Sequence, residues 1–210
     1  MTVVEGPKSG NIVTRIQNIL LKPKEEWAVI DAEPATVQGL YVGYAAILAL
    51  IPAIATIIGR MFPVCILGVC VQPNIFAGVL VGVLTYVASL VGVYVSAFIA
   101  NELAANFGGQ KNFIQALKAT VYAYTAAWLA GVFGVIPVLA ILSIVGLYSL
   151  YLYWLGLPRL MKVPEDKAVG YVIVSIVVTI VVEVVLYAVV GFIGGMAVIG
   201  GSAIAIGAAH

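Results

Sequence analysis

Apolar residues arrive in long blocks along this chain, separated by short clusters of charged residues. The clearest block is Val169–Gly191, VGYVIVSIVVTIVVEVVLYAVVG, where Glu183 is the one charged side chain. About 20 apolar residues cross a hydrocarbon core of roughly 30 Å, so this block reads as a membrane span. Val37–Gly59 and Phe76–Ala100 read the same way. Thr120–Gly156 carries no charge at all and is long enough for two spans, with a turn around Gly134 and Pro137. The predicted fold is all-α, a polytopic transmembrane helical bundle of five spans, at about 37–59, 76–100, 118–135, 137–157 and 169–191.

Two flanking segments complete the organisation. Residues 1–36 form a charged N-terminal segment, too rich in acids and bases for a secretory signal. Within it, Ile12, Ile16, Ile19 and Leu20 recur at helical spacing, with Arg15, Asn18 and Lys22 assigned elsewhere on the wheel. That spacing predicts an amphipathic helix lying in the membrane interface. Pro23 stops it and opens a second short helix, with Glu25 and Glu26 in its first turn and Trp27 at headgroup level. Residues 192–210 form an apolar tail containing Gly194, Gly195, Gly200, Gly201 and Gly207. Each glycine costs a helix about 1 kcal/mol relative to alanine, which predicts an interfacial or loosely ordered tail rather than a sixth span.

Inside the predicted spans, polar and small residues are patterned. Gly78, Gly82, Thr85, Ser89, Gly92 and Ser96 follow a four-three spacing along one face of the second span. Small residues let helix backbones approach closely in lipid, so this seam places the second span at the centre of the bundle. On the fifth span Ser175, Thr179, Glu183 and Tyr187 are four apart and share a face. A charge deep in a bilayer costs about 2.5–3.5 kcal/mol, so Glu183 requires a partner, a proton or water. Arg60, at the outer end of the first span, is the predicted partner, and counting along the fifth span puts Glu183 nearer the outer edge. The apolar loop Met61–Asn74 contains Cys65 and Cys70, with Gly68 between them. A disulfide is compatible with that spacing if this side is oxidising; two free thiols are the alternative.

Composition agrees with the pattern and narrows the chemistry. The chain is 63% hydrophobic and 9% charged, whereas soluble domains average about 25% charged residues. Its net charge of +1 gives no footing for nucleic acid. Nine of the ten Lys and Arg residues fall on one side of a five-span topology: Lys8, Arg15, Lys22, Lys24, Lys111, Lys118, Arg159, Lys162 and Lys167. The basic-residue rule puts that side, and the N-terminus, in the cytoplasm. The one histidine is His210, so no His-dependent triad is expected, nor is a metal site or a cofactor. These features point away from an enzyme.

Three stretches carry a family resemblance: NIVTRIQNILLKPKEEWAVIDAEPAT, NELAANFGGQKNFIQALKATVYAYTAAWLAG and LYSLYLYWLGLPRLMKVPEDKAVGY. In them the chain resembles bacterial members of the Ypt-interacting protein (Yip) family. The resemblance implies five spans, a cytoplasmic N-terminus and an outside C-terminus, in the bacterial inner membrane. Family members often have proline where Ala105 stands. Eukaryotic relatives are linked to Rab-type GTPases and vesicle traffic, and no catalytic residues are implied. On this reading Glu25, Glu26, Glu33, Lys111, Arg159, Lys162, Glu165 and Asp166 meet at the cytoplasmic face. They would form a surface for a protein partner or anionic lipid on a membrane scaffold, or bridge loop to loop. A homo-oligomer is compatible with it. The competing function is a small transporter of ions or solutes that uses Glu183 and the polar face of span five.

Overall fold

The computed structural model describes residues 11–66, 69–71 and 73–207. Helix α1 (Ile12–Leu21) starts where the Asn11 side chain accepts a hydrogen bond from the Val13 amide. Helix α2 (Pro23–Ala32) follows at once, with Pro23 in its first turn where no backbone donor is needed. Thr36 caps α3 (Val37–Leu40), which continues through a single π turn (Tyr41–Ala45) into α4 (Ala46–Gly59). A two-stranded antiparallel hairpin, β1 (Val64–Ile66) and β2 (Val69–Val71), comes next. Asn74 caps α5 (Ile75–Ala104), which ends in the 3-10 turn Ala105–Phe107 and the left-handed Gly108. Only glycine adopts that backbone without strain. Then come α6 (Phe113–Ala123), α7 (Thr125–Ala130), a 3-10 helix over Pro137–Leu147, α8 (Tyr148–Leu160) and α9 (Glu165–Gly207).

Among the described residues, four helical stretches are long and apolar enough to cross a membrane: Val37–Gly59, Ile75–Phe107, Ile141–Leu160 and Glu165–Ala197. The expected third span, 118–135, is not one continuous helix. It breaks at Tyr124 between α6 and α7 and tightens into 3-10 geometry over Gly131–Val135. Close packing on α4 accompanies the break. A Cβ on Gly131 would sit 2.6 Å from the Pro52 side chain, and one on Gly59 would sit 2.4 Å from the Gly134 carbonyl oxygen. The broken segment still runs the length of the bundle. Lys118 reaches the Asp31 and Glu33 carbonyls beside α2, while Gly134 lies against Gly59 at the hairpin end.

Helix α5 is the centre, packed against α4, α6 and α9. Helix α9 runs antiparallel to it and is fastened at three levels. Tyr171 donates to the Ala100 carbonyl at 2.7 Å, Glu183 lies on Gly92, and Gly194 lies on Val81. The helix does not end at Gly191; it continues to Gly207, so the expected break at residue 192 is absent. Within it, Gly194 lets Val81 approach closely.

The core is thickest at the polar end, where Ile19, Trp27, Ile30, Leu152, Leu157, Leu160, Met161 and Tyr171 form one cluster. Two expectations about the N-terminal segment change here. Trp27, placed at headgroup level from the sequence, is 1% exposed, its ring lying where a Gly156 side chain would have to go. Arg15, assigned to the polar side of α1, is 6% exposed. Helix α1 rests on protein, with only Val13 and Leu21 as exposed large apolar residues on it.

Candidate functional site

Two places collect polar side chains in this apolar molecule. The first is the polar end. Arg15, pointing inward from α1, donates to Glu26 of α2 and, at 2.6 Å, to Glu33 just beyond α2. Its guanidinium also lies 5.5 Å from the centre of the Tyr122 ring, within cation–π range. Burial alone would lower the Arg15 pKa. The hydrogen bond to Glu33, with Tyr122, Glu33 and Glu26 close by, outweighs it and raises the pKa above the ordinary arginine value. Arg15 is therefore charged at every pH the protein meets. Around this centre, Lys118 donates to the Asp31 and Glu33 carbonyls at 3.3 and 2.9 Å, and Lys162 donates to the Asp31 carboxylate at 2.6 Å. Tyr148 donates to the Leu20 carbonyl at 3.0 Å. The N-terminal helices are thus bolted onto the ends of α6 and α8.

The polar residues expected at this end divide into two groups. Glu26 and Glu33 are spent on Arg15, Lys162 on Asp31, and Lys111 on Glu102. The Lys111–Glu102 pair is about half exposed, and such pairs contribute about 0–1 kcal/mol. Glu25, Arg159, Glu165 and Asp166 are exposed around them. A cleft of about 450 Å³ opens beside the ion pairs, with Glu33, Thr36, Lys118 and Tyr122 in its walls.

The second place lies deep between α8 and α9. All six residues of the small seam on α5 are buried: Gly78, Gly82, Thr85, Ser89, Gly92 and Ser96. The seam serves different neighbours along its length. Gly78 and Gly82 receive Arg60 and Ile57 from the α4 end. Ser89 accepts from the Trp128 indole N–H at 2.7 Å. Gly92 receives Glu183, whose Oε1 would be 2.5 Å from any Cβ there.

This register excludes the expected Arg60–Glu183 pair. The two side chains touch α5 at Gly78 and Gly92, fourteen positions or about 21 Å apart at roughly 1.5 Å per residue. Arg60 caps the C-terminus of α4 at the hairpin end, with its Cβ and Cδ beside Gly78. The depth changes too: Gly92 is close to the middle of α5, so Glu183 sits near mid-bundle rather than near the outer edge. Its actual partner is Tyr124, which donates to Oε1 at 2.7 Å from the break between α6 and α7. Thr179, Glu183 and Tyr187 border a cavity of about 420 Å³, together with Tyr124, Trp128 and Tyr153. Ser175, the remaining member of that face, is 1% exposed and its hydroxyl has no hydrogen-bond partner among the described residues. The backbone register sets Cys65 opposite Cys70, but their side chains, and hence the disulfide, lie outside the described residues.

A scan against family models matches the Yip1 domain over residues 18–186. The chain belongs to the Yip family. The match takes in every polar residue described above from Asn18 to Glu183, and leaves out Arg15. No curated protein and no solved structure matches. With four membrane-length apolar helices, this Yip-family chain is an integral membrane protein. The Yip domain is not a known enzyme family. Among the described residues, no three His, Cys, Asp or Glu side chains gather in a metal-binding group.

Two residues at the centre of these places, Arg15 and Tyr124, stand outside the site residues expected from the sequence. Arg15 carried a usable signal: it stands three residues after Ile12 and four before Ile19, on the buried stripe itself. Tyr124 carried none, because its role depends on a helix break that no pattern around it marks.

Proposed function

We propose that this Yip-family protein is a non-enzymatic membrane scaffold whose polar end is the docking face for a protein partner. In this reading the broken segment Phe113–Val135 counts as a crossing, which makes five. The N-terminus and the polar end then face the cytoplasm of a bacterial inner-membrane protein. The distribution of Lys and Arg supports that orientation.

One observation carries the reading. Three separate stretches, α1–α2, α6 and the α8–α9 turn, are held together: buried Arg15 pairs with Glu26 and Glu33, buried Lys118 donates to the Asp31 and Glu33 carbonyls, and the half-exposed Lys162 pairs with Asp31. A face assembled this way is fixed before any partner arrives, which reduces the ordering cost of binding. It offers exposed charges of both signs, Glu25, Arg159, Glu165 and Asp166, beside the cleft at Thr36 and Lys118.

The test is a photo-crosslinking side chain introduced at Arg159 or Glu165, with Met61 or Phe62 at the hairpin end as control. A discrete crosslinked protein from the first pair alone is the expected result. Crosslinks to lipid only would move the reading to an anionic-lipid scaffold. Equal crosslinking from both ends would overturn it.

A transport reading has one observation in its favour, the cavity at Glu183. It requires cation or proton flux in proteoliposomes that falls on Glu183→Gln, and an absence of flux would reject it.

A further inference from the structure

The cavity beside Glu183 has a composition that selects its occupant. Its walls come from α4, α5, α6, α7, the 3-10 helix Pro137–Leu147, α8 and α9, and they are almost wholly apolar. Glu183 is the one charged residue lining it among the described residues. Tyr124 occupies Oε1, and no hydrogen bond to Oε2 is found among the described residues. No ion pair of the described residues involves Glu183, and Arg60 is held at Gly78. The Trp128 N–H is committed to Ser89, leaving its ring as wall. The ring of Tyr153, 3% exposed, lines the same space.

Access runs sideways through the bilayer. The residues of α9 at the rim, Ile180 and Val184, are 45% and 62% exposed, and Leu147 opposite them is 60% exposed. In a membrane those surfaces face acyl chains. A ligand must therefore be dissolved in the membrane. Phospholipid headgroups stay at the interface, and among the described residues no basic side chain lines the cavity to hold a phosphate or carboxylate. A carboxylate surrounded by the aromatic residues Tyr124, Trp128, Tyr153 and Tyr187 suits a cation, both by charge and through the negative faces of the rings. Its volume of about 420 Å³ falls within the range of small-molecule pockets, about 300–1,000 Å³.

We propose that the cleft between α8 and α9 is a binding site for a lipophilic primary amine drawn from the bilayer. The ammonium group sits on Glu183, and the apolar body lies between α8 and α9. The site is independent of the docking face at the polar end, which lies outside its walls.

The test uses the full chain in phosphatidylcholine nanodiscs with three probes of equal chain length: a long-chain primary amine, its alcohol and its carboxylate. Binding is read from Trp emission and from the thermal unfolding midpoint. The amine should bind at least tenfold more tightly than the alcohol, and the carboxylate should bind least. Glu183→Gln should remove the amine's advantage while leaving alcohol binding in place. Ala127→Leu, which fills the cavity wall without touching the carboxylate, should weaken amine and alcohol alike. Glu183→Asp, which keeps the charge, should retain a preference for amine and serves where Glu183→Gln fails to fold. Equal binding of amine and alcohol to the wild-type protein would overturn the proposal, as would an amine advantage that survives Glu183→Gln.

Discussion

Arg15→Met removes the cation at the centre of the polar end while keeping the length and apolar stem of the side chain. The magnitude follows from burial. Arg15 is 6% exposed, Glu26 8% and Glu33 14%. An exposed pair would contribute about 0–1 kcal/mol. Breaking a buried pair by removing one partner costs about 3–5 kcal/mol, because the charges left behind have lost both water and counter-ion. Here two carboxylates are stranded by one substitution, so the expected loss is in that upper range. It is also local, falling on α1 and α2. Equilibrium unfolding in mixed micelles reports it directly, since Trp27 is 1% exposed and its emission will shift as α2 leaves Gly156. Adding Glu26→Gln and Glu33→Gln to Arg15→Met should recover most of the loss, because no uncompensated charge then remains. A loss below about 1 kcal/mol for Arg15→Met would refute the buried-hub account. So would a failure of the two Gln substitutions to restore any stability.

Three other outcomes follow from the same geometry. Gly59→Ala places a methyl 2.4 Å from the Gly134 backbone oxygen, which cannot rotate away, so it should cost about 1–3 kcal/mol and lower the unfolding midpoint. Arg60→Ala combined with Glu183→Gln should be additive within about 0.3–0.5 kcal/mol in a double-mutant cycle; a larger coupling would restore the pair that the α5 register excludes. Tyr124→Phe should cost about 0.6 kcal/mol, the average for a polar contact between membrane helices, measured as a shift in denaturation midpoint.

The helix inventory was legible in the chain because lipid imposes a length and a hydropathy that no soluble helix needs. Four of the five blocks emerged as membrane-length helices for that reason. The block at 118–135 did not: it breaks at Tyr124 and tightens into 3-10 geometry over Gly131–Val135, where Gly131 packs on Pro52 and the Gly134 carbonyl on Gly59. Seam positions on α5 were legible as a pattern of small residues, but the pattern could not say which neighbour each would meet. Gly78 and Gly92 look alike in sequence, yet one receives Arg60 and the other Glu183. Helix α9 also runs past residue 191, where glycines had suggested a loosely ordered tail. At the polar end the charged residues were identifiable, and their division into buried hub and exposed rim was not. A charge on the apolar stripe of α1 is the one clue that a wheel analysis offers.

Native-state hydrogen exchange on α2 tests the central claim, that the N-terminal helices are part of one preformed face rather than an anchor adrift on the membrane. In the wild-type protein the amides of Trp27–Ile30 should be protected to the same degree as those of Leu152–Leu157 on α8, and Arg15→Met should collapse the protection of α2 alone. Exchange at Trp27–Ile30 as fast as in an isolated peptide, or unchanged by Arg15→Met, would contradict it.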